Sequence, residues 1–371
     1  MKRMPINLTR LSETELDTIL QGNMTPQMAA NYLKTGRVSV RSFSQTLYAM
    51  YPDGDILTRI VDLYQISDPA INRRSLTKKI QNWLTDRNQP SDREDFFRIA
   101  FALRLSETEL NTLLGICTGY TIQYRNSHEL ILSWFLRKGY GYPEAIEFLA
   151  TLPQSQCEVP APGGSKNLTS ELYLEFQSIQ TLDELTHVYL HNQGRFGHLH
   201  LRSFFYFDCF LNQLIHPKPL FNEEENDYSI DAVMDTYLSL HMPMGKKRGN
   251  YSLIQKLIKQ NWPNATAIKN IRNRQEDVPR KLLLLLYVVT DNGFSDSYRE
   301  SDEEYLSLAD RVEDHWWTLN AMLSDCGMAT LDPCNAFDWL ILYAVAVDAE
   351  ENMSERLEQV IAALYDDIKN V

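Results

Sequence analysis

The stretch from Lys78 to Leu103 reads "KKIQNWLTDRNQPSDREDFFRIAFAL". With Leu76 just before it, Ile80, Trp83 and Leu84 recur at three- and four-residue steps, the period of one apolar helix face. A polar break holding Pro90 follows, and proline removes an amide that a helix interior needs. Phe96, Ile99, Ala100 and Leu103 then resume the helical period. Ser106, three residues before Glu109, forms a capping box for a further helix through Leu114. Two helices joined by a polar turn are predicted, the first of them basic. The choice lies between a DNA-recognition helix and an αα-hairpin with a basic rim.

Working outward, the same period recurs along the chain. Glu13 to Leu20 reads as a helix with Ser12 as its N-cap, and Ile56 to Tyr64 reads as another. No segment alternates with the two-residue period of a strand, and no GxGxxG or P-loop pattern occurs. The expected fold class is all-α.

Composition narrows the function classes. The chain has 371 residues, 44% of them apolar, enough for a substantial core and two or three domains. A net charge of −13 excludes a protein that gathers nucleic acid by global charge, so any such contact needs a local basic patch. The five cysteines are scattered without a CxxC pair, which argues against a disulfide framework or a zinc knuckle. The N-terminal "MKRMPINLTRLSETEL" lacks the apolar core of a secretory leader. The longest apolar run, Leu282 to Val289, is less than half of what a membrane span needs. A cytoplasmic protein with no membrane partner is expected.

Shifted by 209 positions, Leu110–Phe135 ("LNTLLGICTGYTIQYRNSHELILSWF") aligns without a gap on Leu319–Ala344 ("LNAMLSDCGMATLDPCNAFDWLILYA"). Six of 26 positions are identical: Leu110/Leu319, Asn111/Asn320, Leu114/Leu323, Cys117/Cys326, Thr121/Thr330 and Asn126/Asn335. Upstream, with one gap, Ile80 meets Ile268, Trp83 meets Ile271 and Arg93 meets Arg280. Asn126 and Asn335 read as helix caps, each followed three residues later by an acid suited to the helix N-terminus. Two duplicated helical modules with helix-turn-helix-like cores are expected. The Pro- and Gly-rich "CEVPAPGGSKN" from Cys157 suggests a linker at 157–170. It would separate an N-terminal domain, 1–156, with its module at about 39–152, from a C-terminal domain, 171–371, with a diverged copy at about 246–371. Softer boundaries are read at 221–231 and 242–250.

The first module resembles the C-terminal half of the Cro/repressor-like (XRE-type) helix-turn-helix domain. The residues that carry the likeness are Lys78 to Leu84, the turn "DRNQPSDRE" and "RIAFALRLSETELNTLL" from Arg98 to Leu114. The following "YRNSHELILSWFLRKGYGYPEAIEFL" looks like a helical extension found on some firmicute proteins of this type. Pro69 in "ISDPAINRRSLTKKI" stands where the family has a tight glycine turn, and the family's Q-x-x-x-A signature is missing. The resemblance implies DNA as a partner.

Charge is segregated in a compatible way. Asn72 to Arg98 holds seven basic residues against four acidic ones, and Lys246 to Lys281 holds ten against two. The candidate nucleic-acid contacts are Arg73, Arg74, Lys78, Lys79 and Arg87 in the first module. In the second they are Lys246, Lys247, Arg248, Lys269, Arg272 and Arg274, with Trp262, Asn264, Asn270 and Asn273 among them. The alternative is a solvated rim paired to acidic segments of the same chain. That would be an interaction scaffold, with a protein partner or a second copy, that keeps the architecture without binding DNA.

Enzymatic signals are weak. Four of the eight histidines, His187, His191, His198 and His200, crowd into "HVYLHNQGRFGHLH", but the glutamate of an HExxH metal motif is missing. Cys334 in "DPCNAFDW" would need a base such as His315 to act as a nucleophile. Trp316, Trp317 and Trp339 read as core or interface. No catalytic residues, metal or cofactor are expected, and the reading is a non-enzymatic DNA-binding regulator or scaffold.

Overall fold

In the computed structural model, residues 10–21, 24–52, 54–153, 168–217, 227–243, 251–290, 307–347 and 351–369 are described. They form an all-α fold of nineteen α-helices, and their one β-pairing is an isolated bridge between Tyr120 and Met328.

The chain divides into two units. One runs from Arg41 to Leu199 and takes in Gly327–Ala329; the other comprises Met1–Val40, His200–Cys326 and Thr330–Val371. This differs from the expected split at 157–170 in two ways. The first 40 residues belong with the C-terminal unit, and the helices after the Pro/Gly stretch, up to Leu199, belong with the central one. The stretch itself, 157–167, lies outside the described residues, as do most of 221–231 and of 242–250. Proline and glycine mark where a helix cannot continue; apolar faces decide which core the next helix joins.

The central unit comprises α3 (Phe43–Met50), α4 (Ile56–Ser67), α5 (Arg73–Leu84), α6 (Arg93–Leu103), α7 (Glu107–Thr118), α8 (Ser127–Lys138), α9 (Tyr142–Thr151), α10 (Leu168–Gln177) and α11 (Leu182–His191). Its core runs without a break from Phe43 to Phe196. Leu172 and Phe176 of α10 and Leu185 and Tyr189 of α11 are buried in it. Two polar contacts tie this hairpin to α8: Trp134 Nε1 donates to the Ile179 carbonyl at 3.2 Å, and the Arg137 guanidinium donates to Phe176 O at 3.0 Å.

The second unit comprises α1 (Arg10–Leu20), α2 (Pro26–Lys34), α12 (Leu201–Ile215), α13 (Ile230–Val233) with a π-helical turn at Met234–Leu238, α14 (Leu253–Lys259), α15 (Ala265–Arg272), α16 (Arg280–Val289), α17 (Leu308–Asp325), α18 (Ala336–Val345) and α19 (Met353–Lys369). The α2 helix packs against α19. Ala29 and Ala30 carry no side chain beyond Cβ, so the two backbones can come close, and Leu33 fills the remainder. The apolar run of Leu282–Val289 is the buried centre of α16, not a membrane span. Ser12, expected as an N-cap, lies inside α1, buried, with its hydroxyl donating to Asp332 Oδ1 at 3.0 Å.

The aligned modules contain matching polar clasps. In the central unit the Arg93 guanidinium spans both oxygens of Glu129, at 2.6 and 2.8 Å, and donates to Thr121 O at 2.8 Å. The amide of Gln123 donates to Glu129, and that of Ile122 to the Asn111 side chain. In the second unit Arg280 spans both oxygens of Asp338, at 2.6 and 2.8 Å, and donates to Thr330 O at 3.2 Å. The amide of Asp332 donates to Asp338, and that of Leu331 to Asn320. Asn126 and Asn335 cap α8 and α18, each accepting two backbone amides. Thus Asn111/Asn320, Thr121/Thr330 and Asn126/Asn335, three of the identical pairs, hold the same loop in the same way.

Candidate nucleic-acid interface

The α5 helix starts at an Asn72 cap, which accepts the Ser75 amide at 3.0 Å. Leu76, Ile80 and Trp83, four and three residues apart, bury one face. The opposite face exposes Arg74, Lys78 and Gln81, again at steps of four and three. No acidic residue lies on the helix. Before it come the twelve residues of α4 and a five-residue connection.

The candidate cations of this module divide into two groups. Arg73 turns back to α4, with its guanidinium 2.9 Å from Asp62 and bonded to Gln65. Lys79 Nζ lies 3.0 Å from Asp95 Oδ2 on α6 and 4.7 Å from the centre of the Trp83 ring. Arg74 and Lys78 are exposed and make no ion pair among the described residues. Arg87 is exposed just beyond the helix. Its neighbour Asp86 anchors the turn: its backbone is left-handed (φ 53°), and its carboxylate accepts from the hydroxyls of Ser42 at 2.7 Å and Ser44 at 2.6 Å.

In the second unit the cations are less available. Both oxygens of Asp231 hold Lys269, at 2.9 and 2.7 Å. Arg272 is exposed, while Arg274 lies over the Phe204 ring, 4.2 Å from its centre. Lys246, Lys247 and Arg248 fall outside the described residues. Trp262 is buried and donates to Leu238 O at 3.0 Å; it is a core residue, not a base-stacking platform. Asn264 caps α15, and Asn270 donates to Glu276 at 2.8 Å. Helical period alone does not show which face of α15 the unit covers.

Behind α5 lies a polar network that sequence reasoning missed. The buried carboxylate of Asp95 takes Lys79 on one oxygen and the Tyr64 hydroxyl on the other, with Arg98 3.9 Å away. Arg98 Nε donates to the Tyr142 hydroxyl at 3.1 Å, and Tyr142 donates to Glu94. Glu94 faces His128 Nε2 at 2.8 Å. The hydrogen bond to Glu94 raises the His128 pKa above its ordinary value of 6.5, against the opposing pull of burial. Burial pushes the Glu94 carboxyl up, but hydrogen bonds from His128 and Tyr142 and the charges of His128 and Arg98 outweigh it, and its pKa falls below 4.5. The available signal was "RED" at the start of α6, which reads as ordinary first-turn acid; its long-range partners are invisible in sequence.

The other constellations are placed as follows among the helices. His200 caps α12 through Nδ1, and His198 Nε2 lies 2.7 Å from Gly194 O. Among the described residues no three His, Cys, Asp or Glu side chains gather as metal ligands. Cys334 is fully buried beside Ser12. Trp316 and Trp339 are core residues. No helix among the described residues is long and apolar enough to cross a membrane. No protein-family model matches the chain, and neither a curated protein nor a solved structure matches it.

Proposed function

We propose that the chain is a cytoplasmic, non-enzymatic, helix-turn-helix-like DNA-binding regulator in which α5 is the DNA-facing helix. The observation that carries this is the unpaired pair of exposed cations, Arg74 and Lys78, on a helix without acids, four residues apart and in line with Gln81. Arg74 and Lys78 would contact phosphates, and Gln81 would face base edges, where an amide can pair with adenine. Duplication of the module is part of the reading, supported by the two matching Arg–carboxylate clasps.

The test is fluorescence anisotropy with genomic duplexes across a salt series. Reversing both charges in R74E/K78E should weaken binding uniformly across sequences and lower the salt slope by about 2, roughly one counterion per lost phosphate contact. Tight binding that is insensitive to both substitutions would sink the assignment of α5. A scaffold function is favoured by a different observation: Arg73, Lys79 and Lys269 are each paired to an aspartate of the same chain. Absence of duplex binding at low salt would select it.

A further inference from the structure

The network behind α5 is something the repeated fold does without. At the aligned positions of the second module, Glu94 becomes Lys281, Asp95 becomes Leu282, Arg98 becomes Leu285 and His128 becomes Phe337. Leu282 and Leu285 are buried there, and Lys281 Nζ lies 4.7 Å from the centre of the Phe337 ring. Apolar packing, one cation–π contact and hydrogen bonds from Lys281 to the carbonyls of Leu257, Ile258 and Gln260 thus occupy the places where the central unit has two acids, an arginine and a histidine. Polar groups kept where leucine suffices call for a role other than packing.

The groups around His128 are few and their connection is continuous. From α6 it meets Glu94 and, at longer range, Arg98; from its own helix it meets Glu129, which Arg93 already holds. Tyr142 at the start of α9 shares Glu94 with it. His128 occupies the first turn of α8, where the helix dipole disfavours a cation, so its charge depends on Glu94. Arg98 stands between two carboxylates, Glu94 and Asp95, and Asp95 in turn holds Lys79 of α5.

We propose that protonation of His128 regulates how firmly Asp95 holds Lys79, and so controls whether α5 presents a third free cation. While His128 is charged it neutralises Glu94, and Arg98 shares the negative charge of Asp95 with Lys79. When His128 loses its proton, Glu94 draws on Arg98 instead. Asp95 is then left to Lys79 and the Tyr64 hydroxyl, and the lysine is held more tightly. One ring N–H bond of His128 breaks and its proton passes to solvent; no other covalent bond changes. The consequence for DNA, weaker binding as pH rises through neutrality, rests on the reading of α5 above.

The coupling can be measured without DNA. Lys78, exposed on the same helix, serves as an internal reference for Lys79 in acetic anhydride labelling of the full chain, read by mass spectrometry. Between about pH 6 and about pH 9 the Lys79-to-Lys78 labelling ratio should fall about twofold to fivefold, the range of an exposed ion pair. In H128Q and in E94Q, which respectively remove the titrating charge and its partner, the ratio should stay flat. A flat ratio in the wild type, or the same fall in both variants, overturns the proposal. In parallel, duplex affinity at fixed salt should fall over this range in the wild type and not in H128Q. A pH-dependent ratio without duplex binding at any pH would keep the coupling and remove the DNA reading.

Discussion

Removing Asp338 should be among the most damaging single truncations in the chain. The side chains of Asp338 and Arg280 are only 2% and 8% exposed, so neither charge is solvated by water. In Asp338→Ala the guanidinium loses bonds of 2.6 and 2.8 Å and keeps the bond to Thr330 O at 3.2 Å. The Asp332 amide loses its acceptor, and Lys281, whose pKa burial already pulls down to about 7, loses a neighbouring negative charge. An uncompensated buried charge of this kind costs about 3–5 kcal/mol. The double substitution R280M/D338L removes both charges together and should recover most of that loss, because replacing a buried pair with apolar side chains is often close to neutral. Urea denaturation followed by far-ultraviolet circular dichroism measures both, as a shift in midpoint at unchanged slope. A D338A variant within about 1 kcal/mol of wild type, or a double variant less stable than D338A, would refute the reasoning.

The same logic yields smaller effects elsewhere. Asn126→Ala and Asn335→Ala each strip two amides of their acceptor and should each cost about 1 kcal/mol by the same denaturation assay. For the His128–Glu94 pair, the raised His128 pKa means that its stabilisation is fully present below 6.5 and is lost as pH rises through the folded value. The lowered Glu94 pKa means that its share is present above 4.5 and is lost as pH falls through its folded value. Thermal melts of wild type and H128Q should therefore differ most between those limits and converge at alkaline pH. Gly115 sits inside α7, where glycine is normally unfavourable, because a Cβ there would lie 3.1 Å from the Ala329 side chain. Gly115→Val should raise hydrogen exchange at the Ala329 amide, which donates to Gly119 O at 3.3 Å.

What was legible in the sequence was local. The apolar period of α5 and α6, the break at Pro90, the Ser106–Glu109 capping box and the asparagine caps all depend on residues within one helical turn. The alignment of the two stretches was legible because their loops use the same two asparagine side chains, Asn111/Asn320 and Asn126/Asn335. The role of its aligned arginines was not, since Arg93 and Glu129 lie 36 residues apart and only the fold brings them together. Of the candidate interface, the residues of α5 were visible. Which of its cations remain available was decided by Asp62 and Asp95, acids on other helices. Ownership of the first 40 residues was the least legible feature, because α2 finds its partner at the far end of the chain.

That last arrangement sets the order in which a ribosome can complete the protein. Residues 41–199 emerge with all but three residues of their unit already made. Ala29, Ala30 and Leu33, the buried residues of α2, emerge earlier still, but the helix must wait for α19, against which it packs. The Tyr343 hydroxyl reaches Met24 O across 319 residues of chain. During synthesis the apolar face of α2 thus waits uncovered until α19 has been made, so a chaperone that shields nascent chains would find a natural target there.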